Sequence, residues 1–194
     1  IPVTIFISTN IGRDIYPFLK LYRSGLLDNY KSVLKIHSKK STYSKKGDFW
    51  RRSLIYSLCG TSLIALKSIK MFENNSIGIV GPYKYFIANP LHNGGNIHSV
   101  NRIYKLLDIK SINKKSNTSF FAGSMFWFNP KALELLKLAE MSNLEFEEEK
   151  GQQDGTLAHA YERIFVSVCE KNNLTYADIN KGIFSKDEEE ILSN

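Results

Sequence analysis

The chain has 194 residues, of which 43% are hydrophobic, so a single compact domain with one substantial core is expected. Its 26 basic residues exceed its 19 acidic residues by 7, a balance compatible with nucleic acid, an anionic membrane or a phosphate-bearing substrate. Cys59 and Cys169 form neither a CxxC motif nor a disulfide framework, which indicates buried thiols in a reducing compartment. No run approaches the roughly 18 apolar residues of a membrane span, and the apolar start lacks a basic signal-peptide region, so we expect no transmembrane segment.

Strand and helix patterns alternate along the chain. Runs of apolar and β-branched residues predict strands over residues 3–7, 32–36, 77–80 and 120–128. Apolar residues at helical spacing predict helices after Asp14, over residues 49–58 and 62–72, after Pro130 and over residues 156–170. The alternation predicts an α/β fold whose mostly parallel sheet is covered by helices on both faces.

Two stretches depart from this alternation. Residues 83–101 contain Pro90, Gly94 and Gly95 and are predicted to form a long loop, and long loops in compact domains often bind ligands. Residues 187–194 are acidic and are predicted to be a tail or the start of a linker to a further domain. The predicted domain therefore covers residues 1–186.

Polar residues follow the first predicted strand. The segment between that strand and the first helix contains Thr9, Asn10, Gly12, Arg13 and Asp14. Free N–H groups at a helix start, together with a guanidinium, could bind a diphosphate there. The alternative is an ordinary turn in which Asp14 caps the helix.

A basic row leaves the second predicted strand. Alternation places Lys35, His37 and Lys39 on one side of the chain, where positive charge would suit a phosphate leaving group. The alternative is an exposed basic loop. Lys35 argues against that alternative, because a charged residue between apolar residues of a core strand needs a reason to be there.

Small residues interrupt the fourth predicted strand. Ala122, Gly123 and Ser124 stand among aromatic residues and would leave room for a ligand beside the backbone. Trp127 is a candidate platform for a sugar in the same pocket. Aromatic residues in strands nevertheless belong more often to the core than to a sugar site.

A turn between two glycines precedes the last predicted helix. It carries Gln153 and Asp154, and it would present the Asp154 carboxylate to the same cleft if the helix packs on the sheet. His159 in that helix is a further candidate for the sugar or acceptor pocket. The alternatives are that Asp154 caps the helix and that His159 and Arg163 form a structural pair.

These stretches, in this order, resemble the rhamnan synthesis protein F family of polysaccharide-assembly proteins. No Ser/His/Asp elbow, P-loop, HExxH pair or cysteine metal cluster competes with that resemblance. It covers roughly residues 10–163 and is carried by NIGRD (10–14), LKIHSKKS (34–41), WR (50–51), IGIVGP (77–82), AGSMFW (122–127) and GQQDGTLAHAYER (151–163).

The motif order is also similar to the GT-A glycosyltransferase plan. That similarity implies a central mixed, mostly parallel sheet of about six strands flanked by helices. A chlorella-virus glycosyltransferase domain that builds capsid glycans resembles the same plan, which implies UDP as the sugar carrier and manganese as the cofactor. GT-A enzymes hold the metal with Asp-x-Asp after the second strand, whereas this chain has His37-Ser38-Lys39, so His37 is the candidate metal ligand.

We therefore expect a cytoplasmic glycosyltransferase of a bacterium or a virus-infected host cell. It would move rhamnose, or a related hexose such as glucose, from a nucleotide-diphosphate donor, with UDP or dTDP as the carrier, to a glycan or glycoprotein acceptor. Arg13, His37 and Lys39 would bind the diphosphate, residues 122–124 would make room for the sugar, and Asp154 would contact the sugar or the acceptor hydroxyl. Two other classes stay open: a non-catalytic glycan-binding domain of a polysaccharide-assembly protein, and a basic nucleic-acid-binding module. No nucleic-acid motif is recognised, so nucleic acid is not an expected partner.

Overall fold

The computed structural model describes residues 2–38, 47–88, 94–111, 119–138, 145–148 and 150–179. In these ranges the helices are α1 (Ile15–Arg23), α2 (Gly47–Cys59), α3 (Ser62–Met71), α4 (Ile97–Leu106), α5 (Leu135–Leu138) and α6 (Leu157–Lys171). The strands are β1 (Val33–Lys35), β2 (Ile77–Pro82), β3 (Phe86–Ala88), β4 (Ser119–Phe121), β5 (Phe126–Phe128) and β6 (Thr175–Ile179). Short 3-10 helices span Tyr83–Tyr85 and Pro130–Leu133.

The fold is mixed α/β, as predicted, but its strands divide between two sheets. The main sheet has the order β1, β5, β2, β6, and β3 pairs with β4 separately. In the main sheet β5 is antiparallel to both neighbours, and only β2 and β6 pair in parallel. The described residues therefore do not show the predicted, mostly parallel sheet of six strands. Hydrophobic periodicity identifies strands, but it does not encode their order or direction.

The predicted first strand is wrong for the described residues. Residues 2–9 belong to no strand, and Val3, Ile5 and Ile7 are 82%, 83% and 86% exposed. A β-branched run becomes a strand only where another strand accepts its backbone hydrogen bonds, and none of the described strands pairs with it.

The predicted strand over residues 120–128 is two strands joined by a tight turn. β4 ends at Phe121 and β5 begins at Phe126. Between them Gly123 and Ser124 have φ values of 92° and 57°, in the left-handed region that strand geometry excludes. The small residues that suggested space beside a strand instead allow the chain to turn.

Helix α1 forms for the reason predicted, but Asp14 does not cap it. Ile15, Phe18, Leu19 and Tyr22 recur at helical spacing and are buried in the main core. Asp14 occupies the N-cap position without a capping hydrogen bond from its side chain. Its carboxylate binds Lys35 instead, as the site geometry below shows.

Part of the predicted long loop is regular structure. Residues 86–88 form β3, and α4 begins at Ile97. The buried residues of this helix region, Val100, Ile103, Tyr104 and Leu107, have helical spacing, so the sequence contained the signal for α4. Residues 89–93, which include Pro90, lie outside the described residues.

Helix α6 is the central helix and agrees with its prediction. Thr156 caps it, because the Thr156 side chain and the His159 ring exchange hydrogen bonds with each other's backbone. Thr156, not Asp154, is therefore the capping residue. The helix packs on β4, α4 and β6. The helix predicted after Pro130 is divided into a 3-10 turn and α5.

Within the described residues no single helix is long and apolar enough to cross a membrane. Only α2 and α3 taken together meet the length and composition required, and they are bent by 64°. Both cysteines are free thiols, and Cys169 is buried whereas Cys59 is partly exposed.

Candidate active site

A cleft lies where the starts of α1 and α6 meet the end of β1 and the turn between β4 and β5. Its volume is about 230 Å³. That is below the roughly 300 to 1,000 Å³ of typical ligand pockets. Its lining residues include Arg13, Asp14, His37, Trp50, Gly123, Ser124, Gln153, Asp154, His159, Glu162 and Arg163.

Lys35 lies beneath the floor of the cleft, with only 5% of its side chain exposed. Its Nζ is 2.5 Å from Oδ2 of Asp14, 2.7 Å from the carbonyl oxygen of Ser124 and 2.9 Å from Ser124 Oγ. Ser124 Oγ in turn donates to Asp14 Oδ2 over 3.0 Å. The buried charge that the sequence could not explain therefore joins three elements: β1, the start of α1 and the β4–β5 turn.

Asp14 is ionised in this network. Burial alone would raise its pKa, but the neighbouring Lys35 and His37, with hydrogen bonds from Lys35 and Ser124, outweigh burial and hold the pKa below its usual value. Asp14 and Lys35 thus form a buried ion pair whose charges cancel.

The Gly123–Ser124 turn is held from two sides. The Gly123 N–H donates to Oε1 of Glu162 on α6 over 2.6 Å. The Gly123 carbonyl oxygen is 2.9 Å from Nε2 of His37, just beyond β1. Because both contacts are made by backbone atoms of a left-handed glycine, α6 and β1 fix the position of the turn, and through it that of Ser124.

The buried Glu162 carboxyl is expected to make the free energy of unfolding depend on pH. Burial raises its pKa, although the Gly123 N–H and Arg163 oppose the rise. A carboxyl that holds its proton more tightly in the folded chain costs stability as the pH rises from its unfolded pKa through its folded pKa. The variant Glu162→Gln cannot ionise and keeps an amide oxygen for Gly123. We expect its unfolding free energy to gain on that of the wild type as the pH rises through that window.

Urea denaturation at a series of pH values measures this difference. Glu170→Gln, at an exposed position of the same helix, is the matched control. Parallel stability curves for wild type and Glu162→Gln would contradict the proposed titration of Glu162.

Asp154 lies at the mouth of the cleft with 40% of its side chain exposed. Its Oδ1 accepts hydrogen bonds from Nδ2 of Asn96 over 2.6 Å and from Nη2 of Arg163 over 3.2 Å. Burial would raise its pKa, but the Asn96 hydrogen bond and the Arg163 charge lower it below the usual value. Asp154 is therefore an ionised carboxylate that a bound molecule can reach.

Two arginines bring positive charge to the cleft. Arg13, at a φ of 58°, donates to the carbonyl oxygen of Gln152, so it ties the α1 turn to the turn before α6. Arg163 donates to the carbonyl oxygen of His159 over 2.8 Å, and its guanidinium lies 5.2 Å from the centre of the Phe120 ring. The structural pair of His159 and Arg163 is present, but Arg163 also reaches Asp154 and lines the cleft.

The predicted site residues fall into three groups. The cleft brings together Arg13, Asp14, His37, Gly123, Ser124, Gln153, Asp154 and His159. Those that do not line it are Thr9, Asn10, Gly12, Lys35, Ala122 and Trp127. Thr9 and Asn10 are exposed, Gly12 is buried beside Phe146, and Trp127 Nε1 donates to the carbonyl oxygen of Leu58 over 2.9 Å. Lys39 lies outside the described residues.

Four residues of the site were not predicted for it: Trp50, Asn96, Glu162 and Arg163. For α6 a signal existed, because His159, Glu162 and Arg163 are polar residues at helical spacing in the first half of the helix. Trp50 stands in one of the motifs of the resemblance. Asn96 lies in the stretch 83–101 that was predicted to be a long loop, but its contact with Asp154 joins residues distant in sequence and was not predicted.

The predicted metal ligand does not belong to a metal site in the described part of the chain. His37 turns Nε2 toward the Gly123 carbonyl, and its Nδ1 is buried without a hydrogen-bond partner. The nearest carboxylate, Asp14, lies 3.9 Å from Nε2 and already binds Lys35. Among the described residues, no three histidine, cysteine, aspartate or glutamate side chains are grouped so that they could hold a metal ion. The described side chains around His37 therefore do not fit the manganese ion that the resemblance implies.

Comparison with known proteins gives the chain a family context. The family model for rhamnan synthesis protein F matches residues 1–174. Two proteins of Xanthomonas campestris pv. campestris, each named "Uncharacterized protein WxcX", are similar to it. The one from strain B100 is 36% identical over 154 residues, and the one from strain ATCC 33913 is 37% identical over 155 residues. The chain spans 22% of the length of each relative, and the match covers 79% of the chain. No solved structure matches the chain.

Proposed function

The chain belongs to the rhamnan synthesis protein F family, a family of polysaccharide synthesis, and from that premise we propose that it is a glycosyltransferase domain. It transfers a hexose, rhamnose or a related sugar such as glucose, from a nucleotide-diphosphate donor to a hydroxyl group of a glycan. UDP and dTDP are the proposed carriers.

One observation carries the proposal: the cleft combines arginine side chains with an accessible carboxylate. Arg13, His37 and Arg163 line it together with the ionised Asp154. A diphosphate leaving group needs positive charge, and an attacking hydroxyl needs a proton acceptor. Both requirements are met within one cleft by groups of opposite sign.

In the proposed reaction the bond between the sugar's anomeric carbon and the diphosphate oxygen breaks, and that oxygen keeps the electron pair. The acceptor hydroxyl oxygen bonds to the same carbon and releases its proton. Arg13 stabilises the charge that develops on the diphosphate, and Asp154 accepts a hydrogen bond from the hydroxyl and then its proton. The Gly123–Ser124 turn lies beside the sugar.

A test of the donor site removes the Arg13 charge. We expect Arg13→Met to bind UDP and dTDP about ten- to a hundredfold more weakly than the wild type, because a hydrogen bond to a charged group is worth about 1.5 to 3 kcal/mol. Isothermal titration of both nucleotides measures the affinities. Arg52→Met removes an arginine that pairs with Asp48 and does not line the cleft, and it should bind like the wild type. Equal affinity of Arg13→Met and wild type would remove Arg13 from the donor site.

A side chain at Gly94 is expected to displace the Asp154 carboxylate. A Cβ atom at Gly94, whose φ is 49°, would collide with Oδ2 of Asp154. We expect Gly94→Ala to lower the rate of sugar transfer roughly a hundredfold, because displacing a reacting group by about 1 Å costs that much.

A matched control separates this collision from backbone strain. Gly25 at the end of α1 also has a positive φ, of 79°, but a Cβ there would meet only an ordinary contact at 3.5 Å. Gly25→Ala should lose about 1 kcal/mol of stability, like any such substitution, and keep its transfer rate. If both alanine variants transfer sugar at the wild-type rate, the Asp154 position is not critical.

A further inference from the structure

We infer that Lys35 neutralises Asp14 in place of a divalent metal ion, and that the donor diphosphate binds without such an ion. The inference rests on the proposed function. The described side chains of the site do not supply a ligand set for the manganese ion that the resemblance implies.

The Lys35 ammonium is coordinated much as a bound cation would be. An ammonium group has three N–H donors, and three oxygen atoms lie within 2.9 Å of Nζ: Asp14 Oδ2, the Ser124 carbonyl and Ser124 Oγ. These oxygens come from the α1 start and the β4–β5 turn. A carboxylate, a carbonyl and a hydroxyl are also the oxygen ligands that hard divalent cations prefer.

A metal ion would have to compete with this ammonium for Asp14. Oδ2 of Asp14 already accepts from both Lys35 Nζ and Ser124 Oγ. Displacing Lys35 from these partners would leave a charge in a position where only 5% of its side chain is exposed, and an unpaired buried charge is strongly unfavourable. The internal cation is therefore favoured over an external one.

The charges that face the cleft need no metal to attract a diphosphate. Lys35 cancels the Asp14 charge, so Asp14 does not repel phosphate oxygens. Arg13 and Arg163 both line the cleft, and Arg163 also pairs with Asp154. Arginine guanidinium groups bind phosphate oxygens directly and stay protonated at any physiological pH.

Nucleotide titrations of the wild type test the inference directly. UDP, dTDP and inorganic pyrophosphate are titrated calorimetrically into the protein in EDTA and, separately, in manganese chloride. Pyrophosphate isolates the contribution of the diphosphate from that of the base. We expect at least one nucleotide to bind in EDTA with an affinity that manganese changes by less than about tenfold, or 1.4 kcal/mol.

The possible outcomes separate this inference from the proposed function. Binding that requires manganese, or that manganese tightens more than about tenfold, overturns the inference and leaves the glycosyltransferase proposal intact. Absence of nucleotide and pyrophosphate binding in both solutions contradicts the donor site itself, and the inference fails with it.

A variant addresses the role of Lys35 itself. Lys35→Ala leaves the Asp14 carboxylate and the Ser124 oxygens without their cation, so manganese should raise the melting temperature of this variant. Manganese should change neither the wild type nor Lys150→Ala, which removes a lysine at an exposed pair with Glu148. A Lys35→Ala protein that responds to manganese no more than the wild type would show that Lys35 does not occupy a cation's place. If the variant does not fold, the wild-type titrations still decide the question.

Discussion

Replacing Asp154 by asparagine is expected to slow sugar transfer by about a hundredfold to ten-thousandfold, the usual contribution of a positioned proton acceptor. Asparagine keeps an oxygen that can accept the hydrogen bonds now made to Oδ1 by Asn96 and Arg163. It has neither the negative charge nor the basicity of the carboxylate. The effect should therefore fall on the rate of transfer and not on folding.

Steady-state rates with a radiolabelled nucleotide sugar, together with melting temperatures, measure this prediction. Asp108→Asn is the matched control, since it makes the same change at a fully exposed aspartate that pairs with Lys171. Asp108 has a φ of 51°, a conformation that asparagine tolerates well. A folded Asp154→Asn protein with the wild-type rate would exclude Asp154 as the proton acceptor.

Replacing Lys35 by methionine is expected to have the largest effect on stability, about 3 to 5 kcal/mol, because it leaves the Asp14 charge buried without its partner. The same change should move the Gly123–Ser124 turn, since two of the three Nζ contacts are made to Ser124. Chemical denaturation measures the loss. Lys150→Met, at a pair whose side chains are 72% and 79% exposed, should change stability by at most about 1 kcal/mol.

A double variant shows whether the loss comes from the unpaired charge. Adding Asp14→Asn to Lys35→Met removes that charge, so the double variant should be more stable than the sum of the two single losses predicts. Additive losses would mean that Lys35 stabilises the fold through packing alone, and the ion pair with Asp14 would contribute little.

The match covers only a short part of each relative. The chain corresponds to 22% of each WxcX protein. An assay of this domain with nucleotide sugars therefore tests one unit of a longer polypeptide in those relatives.

Local sequence patterns were sufficient for much of the framework. The spacing of apolar residues predicted α1, α2, α3 and α6 close to their observed limits, and β-branched runs predicted β1 and β2. Polar residues after predicted strands and before predicted helices included Arg13, Asp14, His37 and Asp154, all of which line one cleft. These features could be predicted because helical and strand periodicities, and the residue types that form turns, depend on residues close together in the sequence.

The exposed segment at residues 3–7 and the divided strand at residues 120–128 show where such patterns stop being sufficient. Both runs have strand composition. The first belongs to no described strand. The second turns at Gly123, whose N–H donates to Glu162 and where Leu54 leaves no room for a Cβ atom. Pairing and turning were decided by elements that lie elsewhere in the sequence.

The sequence by itself determined which residue types could serve a phosphate-binding cleft, and it showed that the charge of Lys35 required a partner. Only the tertiary structure identified that partner and assigned Lys35 a place beneath the cleft instead of inside it. Lys35 and Ser124 are 89 residues apart, and Ser124 and Asp14 are 110 apart. No local periodicity reports contacts over such separations, because they depend on how the elements pack against one another.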